Sequence, residues 1–474
     1  MFSTWRRRIL ITVVIVLVGL SIPVVLELHA RSKARADLEK IIAELDAADP
    51  RWRLEDIEAD RQQVPAEKNS ANTVVAAFGL LPKNWHPEIH DELEKIPPPI
   101  ALRIEQADKL AAELKPLEAA LQTARKLKNL PLGRYKLGYS LDWWTTSLSG
   151  QNNSHEVAQL LDLDASQFLH RKEMEKAWNS NRALLNSGRS LGDEPLVVSM
   201  LLRMAIGDMA VRSLERCLAH GVIQSSYLEE SQKHLEEELT VPFFFIGLRG
   251  ERAGIDYLLT NIENGKINLI PTLEIVSSTQ KIERVDENLL DPIQEFFWFS
   301  IVLRSHGILL KLQTRQIEAA KLPAYKRYEV ITEIGKSYKA LVTPKDWIIR
   351  SLFPAVVKFA ESEQRRHTLL ACAIAGLGAE RFRLMKNRWP DSLEETVQAG
   401  CLKKVPTDLF DGKPLRFRRS KDGLVIYSIG PDGKYDGKAL DDLRNIDESV
   451  IRVEFRLWDL PHRRQAPLPP KAKE

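Results

Sequence analysis

The sequence lacks the cysteine patterns of zinc sites and disulfide-stabilised folds. Its 474 residues include three cysteines, Cys217, Cys372 and Cys401, with no CxxC pair and an odd total. A zinc knuckle and a disulfide framework are therefore not indicated. One disulfide between two of the three cysteines stays an alternative. Cys217 and Cys372 lie in apolar helical patterns, which predict core thiols.

Catalytic signatures are also missing. The sequence contains no HExxH, GxSxG, Walker or GxGxxG motif, and His155-Glu156 continues as Val157-Ala158-Gln159, which excludes a zincin helix. We interpret the ten scattered histidines as surface or satisfied core residues, and Glu236-Glu237-Glu238 as a solvated helix face. No catalysis is predicted. An enzyme with an unrecognised site in the helical body stays an alternative, because sites are spatial constellations.

An excess of one charge is absent as well. The 68 Lys and Arg residues against 65 Asp and Glu leave a net charge of +3, so nucleic acid is not an expected partner. A mean hydropathy of -0.25 excludes a polytopic membrane protein. With 44% hydrophobic residues, a chain of 474 residues can bury more than one core.

One long uncharged stretch is present, Ile9 to Leu26, directly after Arg6-Arg7-Arg8. As a helix it would span about 27 Å, close to the hydrocarbon thickness of a bilayer. A cleavable signal peptide is the alternative, with Leu28-His29-Ala30 as a poor cleavage site, but the apolar run is longer than a usual signal core. We therefore predict a cytoplasmic tail over 1–8 and a single-pass anchor over 9–28.

Orientation follows from the basic residues on either side of the anchor. The cluster Arg6 to Arg8 is denser than the basic residues between Arg31 and Lys40, and it abuts the apolar run directly. Because positive charge is retained on the cytoplasmic side, the bulk of the chain is expected on the periplasmic side of the cell inner membrane.

Helical periodicity dominates the chain beyond the anchor. Residues 29–99 are predicted to form a stalk and connector, in which Leu38, Ile41 and Leu45 mark one apolar face. Residues 100–360 are predicted to form an all-helical domain of stacked, solenoid-like helix pairs without a fixed repeat. The apolar run Phe296 to Leu303 is too short to span a membrane and is predicted to be a buried helix.

The pattern changes after about residue 360. A helix there is expected to end at Asn387-Arg388-Trp389-Pro390, because the residue before a proline avoids the α region. Asp391 and Ser392 offer a cap to a short helix, Leu393 to Ala399. Apolar stretches on either side of the turn Lys421-Asp422-Gly423 predict a hairpin. The basic, proline-rich tail 461–474 is predicted to be disordered.

This order of elements resembles the globular domain of the major pseudopilins of type II secretion. The residues that carry the resemblance fall between about 366 and 446, and they include Asn387-Arg388-Trp389-Pro390, Val405-Pro406-Thr407-Asp408, Asp411-Gly412-Lys413-Pro414 and Tyr427-Ser428-Ile429-Gly430-Pro431-Asp432-Gly433. The resemblance implies a small α+β module, which we assign to 361–460. The predicted fold is thus mainly α, with one transmembrane helix, a solenoid-like body and this C-terminal module.

The same resemblance implies an acidic loop that holds calcium. The family's loop aspartates map onto Asp432 and onto Asp441 or Asp442, and Asp436 is an extra carboxylate of this chain. Calcium takes six to eight oxygen ligands, so these carboxylates supplemented by loop carbonyls could form a site. The alternative is a solvated turn in which Asp and Gly serve only the backbone geometry.

The sequence departs from the family at its N-terminus. Pseudopilins begin with a Gly-Phe cleavage site and carry a glutamate five residues into the apolar helix, and this chain has neither. Assembly into a pilus is therefore not expected. The predicted function is a membrane-anchored interaction or scaffold protein with protein partners; the alternative is a secretion component that docks on pseudopilins through its C-terminal module.

Overall fold

The computed structural model describes residues 2–268, 291–339, 341, 343–353, 356–437 and 453–469. The fold is mainly α-helical, with one small antiparallel sheet. The helices are α1 Phe2–Ala48, α2 Leu54–Asp60, α3 Ser70–Phe78, α4 Glu88–Glu94, α5 Ile104–Leu114, α6 Glu118–Ala124, α7 Ser149–His170, α8 Met174–Arg189, α9 Val197–His220, α10 Ser225–Thr240, α11 Phe243–Glu263, α12 Asp291–Ala320, α13 Ala324–Lys339, α14 Trp347–Leu352, α15 Val356–Lys386 and α16 Leu393–Gln398. The strands are β1 Arg416–Ser420, β2 Gly423–Tyr427 and β3 Glu454–Trp458.

Helix α1 is one continuous element of 47 residues with two different surroundings. Its apolar first half is exposed on all sides and carries Pro23. Within the described residues it is the one helix long and apolar enough to cross a membrane. Its second half buries the predicted face, Leu38, Ile41 and Leu45, in a cluster with Leu303 and Leu310 of α12. The predicted stalk is therefore packed into the body, because its apolar face finds a partner helix there.

Helices α7, α8 and α9 pack on one another at the centre of the body, whereas α10 packs on α15, and α11 packs on α9 and α12. Close approaches fix their geometry: a Cβ built on Gly250 of α11 would lie 1.7 Å from the backbone oxygen of Pro195. A glycine is required at this position because no side-chain atom fits there.

Helix α12 contains the apolar run Phe296 to Leu303, as the sequence predicts. Val302 and Leu303 are fully buried, whereas Phe296 to Ser300 are half-buried. The helix lies alongside α1 and runs in the same direction, because Ser300 contacts Glu27 while Gly307 faces Ile41. The first turns of α12 therefore lie at the end of the body from which the apolar half of α1 leaves.

The three-stranded sheet has the order β1-β2-β3, and both pairings are antiparallel. The predicted hairpin is confirmed by the pairing of Arg419 with Leu424, and Ser392 caps α16 by accepting a hydrogen bond from the backbone of Glu395 at 3.3 Å. Strand β3 packs on both α9 and α15. One apolar cluster extends from Val74 through α7, α9 and α15 to Leu457, so the module shares its core with the helical body.

The C-terminal tail differs from the prediction of disorder over 461–474 in its described part, residues 461–469. The guanidinium of Arg463 lies 2.9 Å from both carboxylate oxygens of Glu380, and the backbone N–H of Gln465 donates to the carbonyl of Pro99 at 2.7 Å. Buried Glu380 neutralises Arg463, and Arg464 donates to the carbonyls of Leu169 and His170, so this stretch packs back onto the body.

Candidate functional site

The predicted calcium loop is only partly described. Asp432 and Asp436 are both exposed, and Oδ1 of Asp432 accepts the backbone N–H of Lys434 at 3.1 Å, which shapes the turn. Asp441 and Asp442 lie outside the described residues. Within the described ranges, no group of three or more His, Cys, Asp or Glu side chains is arranged to hold a metal ion. The calcium site therefore stays a prediction.

The acidic residue that organises this module is Asp408. It is fully buried, and its Oδ1 accepts the Ser428 hydroxyl at 2.8 Å and the backbone N–H of Phe410 at 3.0 Å. Its Oδ2 accepts the backbone N–H of Ile429 at 3.0 Å and pairs with Arg416. Asp408 thus joins the turn before β1 to the loop after β2. The sequence contained the residue within the pseudopilin-like pattern, but its spacing gave no sign of this role.

A cleft of about 670 Å³ opens where the helical body meets these loops. Its volume is that of a small-molecule or side-chain binding site. The lining is mixed: apolar side chains come from α9 and the module loops, and polar ones from α9, α13 and α15. The lining residues are Leu201, Met204, Ala205, Asp208, Tyr328, Glu361, Ser362, Gln364, Arg365, Phe410 and Pro431.

Asp208 brings an unsatisfied polar atom to the cleft. Its Oδ1 is inaccessible to water and has no hydrogen-bond partner among the described residues. Burial raises the pKa of this carboxyl, while the charges of Arg366, Arg212 and Arg365 act in the opposite direction. A buried oxygen without a partner is costly, so Asp208 is kept in the wall of the cleft at the expense of stability.

The other polar groups of the cleft either have hydrogen-bond partners or lie at its rim. Glu361 accepts the Tyr328 hydroxyl at 3.0 Å, and the amide of Gln364 donates to the carbonyl of Leu409 at 2.7 Å. Arg365 is exposed at the rim. The arrangement combines a buried carboxyl in the wall, a cationic rim and apolar walls, which suits the binding of a polar, partly apolar group.

A buried ionic cluster lies behind this cleft, around Glu238 of α10. Its carboxylate accepts hydrogen bonds from Arg189 at 2.8 Å, Arg203 at 2.7 Å and Arg366 at 3.0 Å. Burial alone would raise the pKa of Glu238, but the three guanidinium groups hold it well below its usual range. The interpretation of Glu236-Glu237-Glu238 as a solvated face is therefore wrong for Glu238, which is 2% exposed.

A signal for Glu238 was present in the helical spacing. Leu228, Gln232 and Leu235 form the buried face of α10, and Glu238 continues it one turn after Leu235.

His306 of α12 is also buried among charged groups. Its ring lies between the carboxylates of Asp256, at 3.0 Å, and Glu263, at 2.7 Å. Although burial lowers the pKa of His306, these carboxylates raise it to about 9. His306 is therefore a satisfied core residue.

The three cysteines are all buried and free. Cys217 and Cys372 are fully buried in the main apolar cluster, as the helical pattern predicts, and burial raises the pKa of both thiols. Because the thiolate is the reactive form, we interpret both thiols as unreactive core residues.

The resemblance of residues 366–446 to the major pseudopilins stays a prediction from the sequence. No protein-family model, curated protein or solved structure matches this chain.

Proposed function

We propose that this protein is a membrane-anchored interaction or scaffold protein, which holds its helical body directly against the periplasmic face of the inner membrane. The proposal has two parts: attachment to the bilayer through α1 and binding of a protein partner through the cleft at Asp208. Each part has its own structural support and its own test.

The observation that carries the first part is the continuity of α1. The side chains from Ile9 to Val18 are about half exposed, whereas Leu38 and Leu45 on the same helix are 4% and 5% exposed. A soluble protein rarely leaves an apolar surface of this size uncovered, and lipid is the environment that satisfies it. Because the helix enters the core without interruption, the body is attached without a linker. The dense cluster Arg6 to Arg8 supports a cytoplasmic N-terminus.

The second part is supported by the cleft. Among the described residues no group donates to the buried Oδ1 of Asp208, Arg365 is exposed at the rim, and Leu201, Met204 and Phe410 supply apolar contact. We propose binding because the cleft is lined by apolar side chains and by a few polar groups, of which Glu361 and Gln364 are already engaged by neighbouring groups.

Attachment and orientation are tested on the full chain in bacterial cells. We expect the protein to stay in the membrane pellet after alkaline carbonate washing and to be released only by detergent. In spheroplasts, added protease should degrade the body while a tag at the N-terminus stays protected. Release by carbonate, or degradation of the N-terminal tag alone, would contradict the proposal.

Partner binding is tested by a photo-crosslinking amino acid at Ser362, which lines the cleft and is exposed, with exposed Lys421 as the matched control position. We expect a discrete crosslinked species from Ser362 that is lost on Asp208→Ala and absent from Lys421. Equal crosslinking from both positions would show that the cleft has no special role.

The second candidate, an accessory of a type II secretion-like apparatus, is favoured by the predicted module elements that appear in order: the Ser392 cap, α16 and the β1–β2 hairpin. In this case the crosslinked species would contain pseudopilins. Calcium in the loop from Asp432 belongs to this candidate and is tested by thermal melting of the full chain with calcium or with chelator; an unchanged midpoint removes the ion.

A further inference from the structure

The junction between the apolar and the packed halves of α1 is built with α12. Oε1 of Glu27 accepts the backbone N–H of Ser300 at 3.0 Å, and its Oε2 accepts the Ser300 hydroxyl at 2.8 Å. The guanidinium of Arg31 donates to the carbonyl of Phe296 and lies 4.3 Å and 4.7 Å from the ring centroids of Phe296 and Phe299. These contacts fix the position of α12 along the axis of α1.

The direction of the two helices shows where Phe296 lies along the axis of α1. Ser300 is beside Glu27, and both helices run away from the apolar half of α1 in the same direction. Phe296 precedes Ser300 by one helical turn, about 6 Å. Because Phe296 also contacts Arg31, it lies close to the end of the apolar run, at Leu26. The side chain of Arg31 reaches back toward the N-terminus to meet it, as helical side chains do.

Four aromatic side chains cluster at this level, and we call Phe296, Phe297, Trp298 and Trp347 the aromatic foot. All four are half-buried. Phe296 and Phe297 contact edge to face at 5.2 Å, and Trp298 meets Trp347 of α14 at 5.4 Å. The two tryptophans also pack against the core around Val302, which holds the foot in place.

Basic side chains border the aromatic foot. Lys345 and Arg350, on either side of Trp347 in the chain, are both exposed. Tryptophan is enriched where the hydrocarbon meets the lipid headgroups, because its ring is apolar and its N–H is polar. Lysine and arginine beside it attract the phosphates of anionic lipids.

We propose that the aromatic foot is a lipid-binding surface that rests in the headgroup region of the bilayer spanned by α1. The inference rests on the proposed membrane attachment and extends it: the body touches the membrane at a second place, beside the anchor. The occupant is phospholipid, because the foot is continuous with the lipid-facing surface of α1 and lies at the level where that surface ends.

The test is fluorescence quenching in nanodiscs of phosphatidylethanolamine and phosphatidylglycerol, with the full chain carrying an environment-sensitive dye on one introduced cysteine. The native cysteines are buried, which keeps labelling selective. Phe297→Cys reports on the foot, Val16→Cys on the anchor and Leu460→Cys on an exposed site near the sheet. Quenchers are lipids with a spin label near the headgroup or deep in the acyl chain.

We expect the dye at residue 297 to lose roughly half its fluorescence with the shallow quencher and less with the deep one, as for an interfacial residue. Residue 16 should show the reverse order, and residue 460 neither effect. Quenching at 16 without quenching at 297 overturns the foot and leaves the anchor intact. No quenching at either position overturns the membrane attachment itself. Thermal melting of the three labelled variants checks that each keeps the native fold.

Discussion

Nη2 of Arg366 in α15 lies 3.0 Å from Oε2 of Glu238 in α10, and both side chains are almost completely buried. Arg189 of α8 and Arg203 of α9 contact the same carboxylate, so one negative charge joins four helices. Removal of a buried partner leaves uncompensated charges in a medium of low dielectric constant. The cluster therefore makes the packing of these helices sensitive to a single residue.

Glu238→Gln tests this cluster. The amide keeps the shape of the side chain but removes the counter-charge that the three guanidinium groups share, and Arg189 keeps only Glu237 at 3.4 Å. We expect the free energy of unfolding to fall by about 3–5 kcal/mol. The measurement is urea denaturation of the detergent-solubilised full chain. Glu333→Gln is the matched control, because the pair of Glu333 with Lys336 is exposed and should contribute nothing measurable. Equal effects of the two substitutions would refute the prediction.

His306 predicts a dependence of stability on pH. Its folded pKa of about 9 is raised above the unfolded value of about 6.5. The stabilisation from Asp256 and Glu263 is therefore fully present below the unfolded pKa and is lost as pH rises through the folded one. We expect His306→Gln to cost about 2–3 kcal/mol at pH 6 and much less at pH 9.5. Exposed His462→Gln is the control, and a pH-independent cost for His306→Gln would contradict the charged pair.

Gly250 is predicted to be intolerant of any side chain. In Gly250→Ala the new Cβ would meet the carbonyl oxygen of Pro195, a backbone atom that cannot rotate away. We expect a loss on the order of 2–4 kcal/mol, despite the better helix propensity of alanine. Gly138→Ala is the control, because nothing lies within 4 Å of that position. Comparable melting temperatures for the two variants would rule out the close approach.

We predict that Asp208 lowers the stability of the folded protein while it contributes to partner binding. Its folded pKa is raised, so the penalty for ionisation is present at neutral and alkaline pH and disappears as pH falls below the unfolded pKa. Asp208→Asn should therefore raise the melting temperature at pH 8, with a smaller gain at pH 4, while it weakens crosslinking from Ser362. Exposed Asp108→Asn, in α5 and outside the lining of the cleft, should leave both unchanged. A lower melting temperature for Asp208→Asn at pH 8 would show that the carboxylate has a stabilising partner.

Local patterns were sufficient to predict much of the fold. The uncharged run to Leu26, the helix stop before Pro390 and the hairpin around Asp422 each depend on neighbouring residues alone. Strand β3 was missed, although Phe455 and Leu457 alternate with polar residues. Its placement depends on pairing with β2 and on the burial of Arg456, which reaches Asp422 at 2.7 Å.

The candidate site could not be predicted in the same way. The lining of the cleft comes from α9, α13, α15 and two loops, and the residues Asp208 and Phe410 are about two hundred positions apart. Its chemistry depends on which acceptors are already satisfied, such as Glu361 by Tyr328. That distribution is set by tertiary packing, which leaves no mark on local periodicity.

The absence of a linker between the anchor and the body has a mechanical consequence. A lever transmits motion only if it does not bend between its ends, and α1 is helical from Phe2 to Ala48, with Pro23 inside its apolar half. A tilt or rotation applied on the body side of Pro23 would therefore move the whole body, and with it the opening of the cleft, through the same angle.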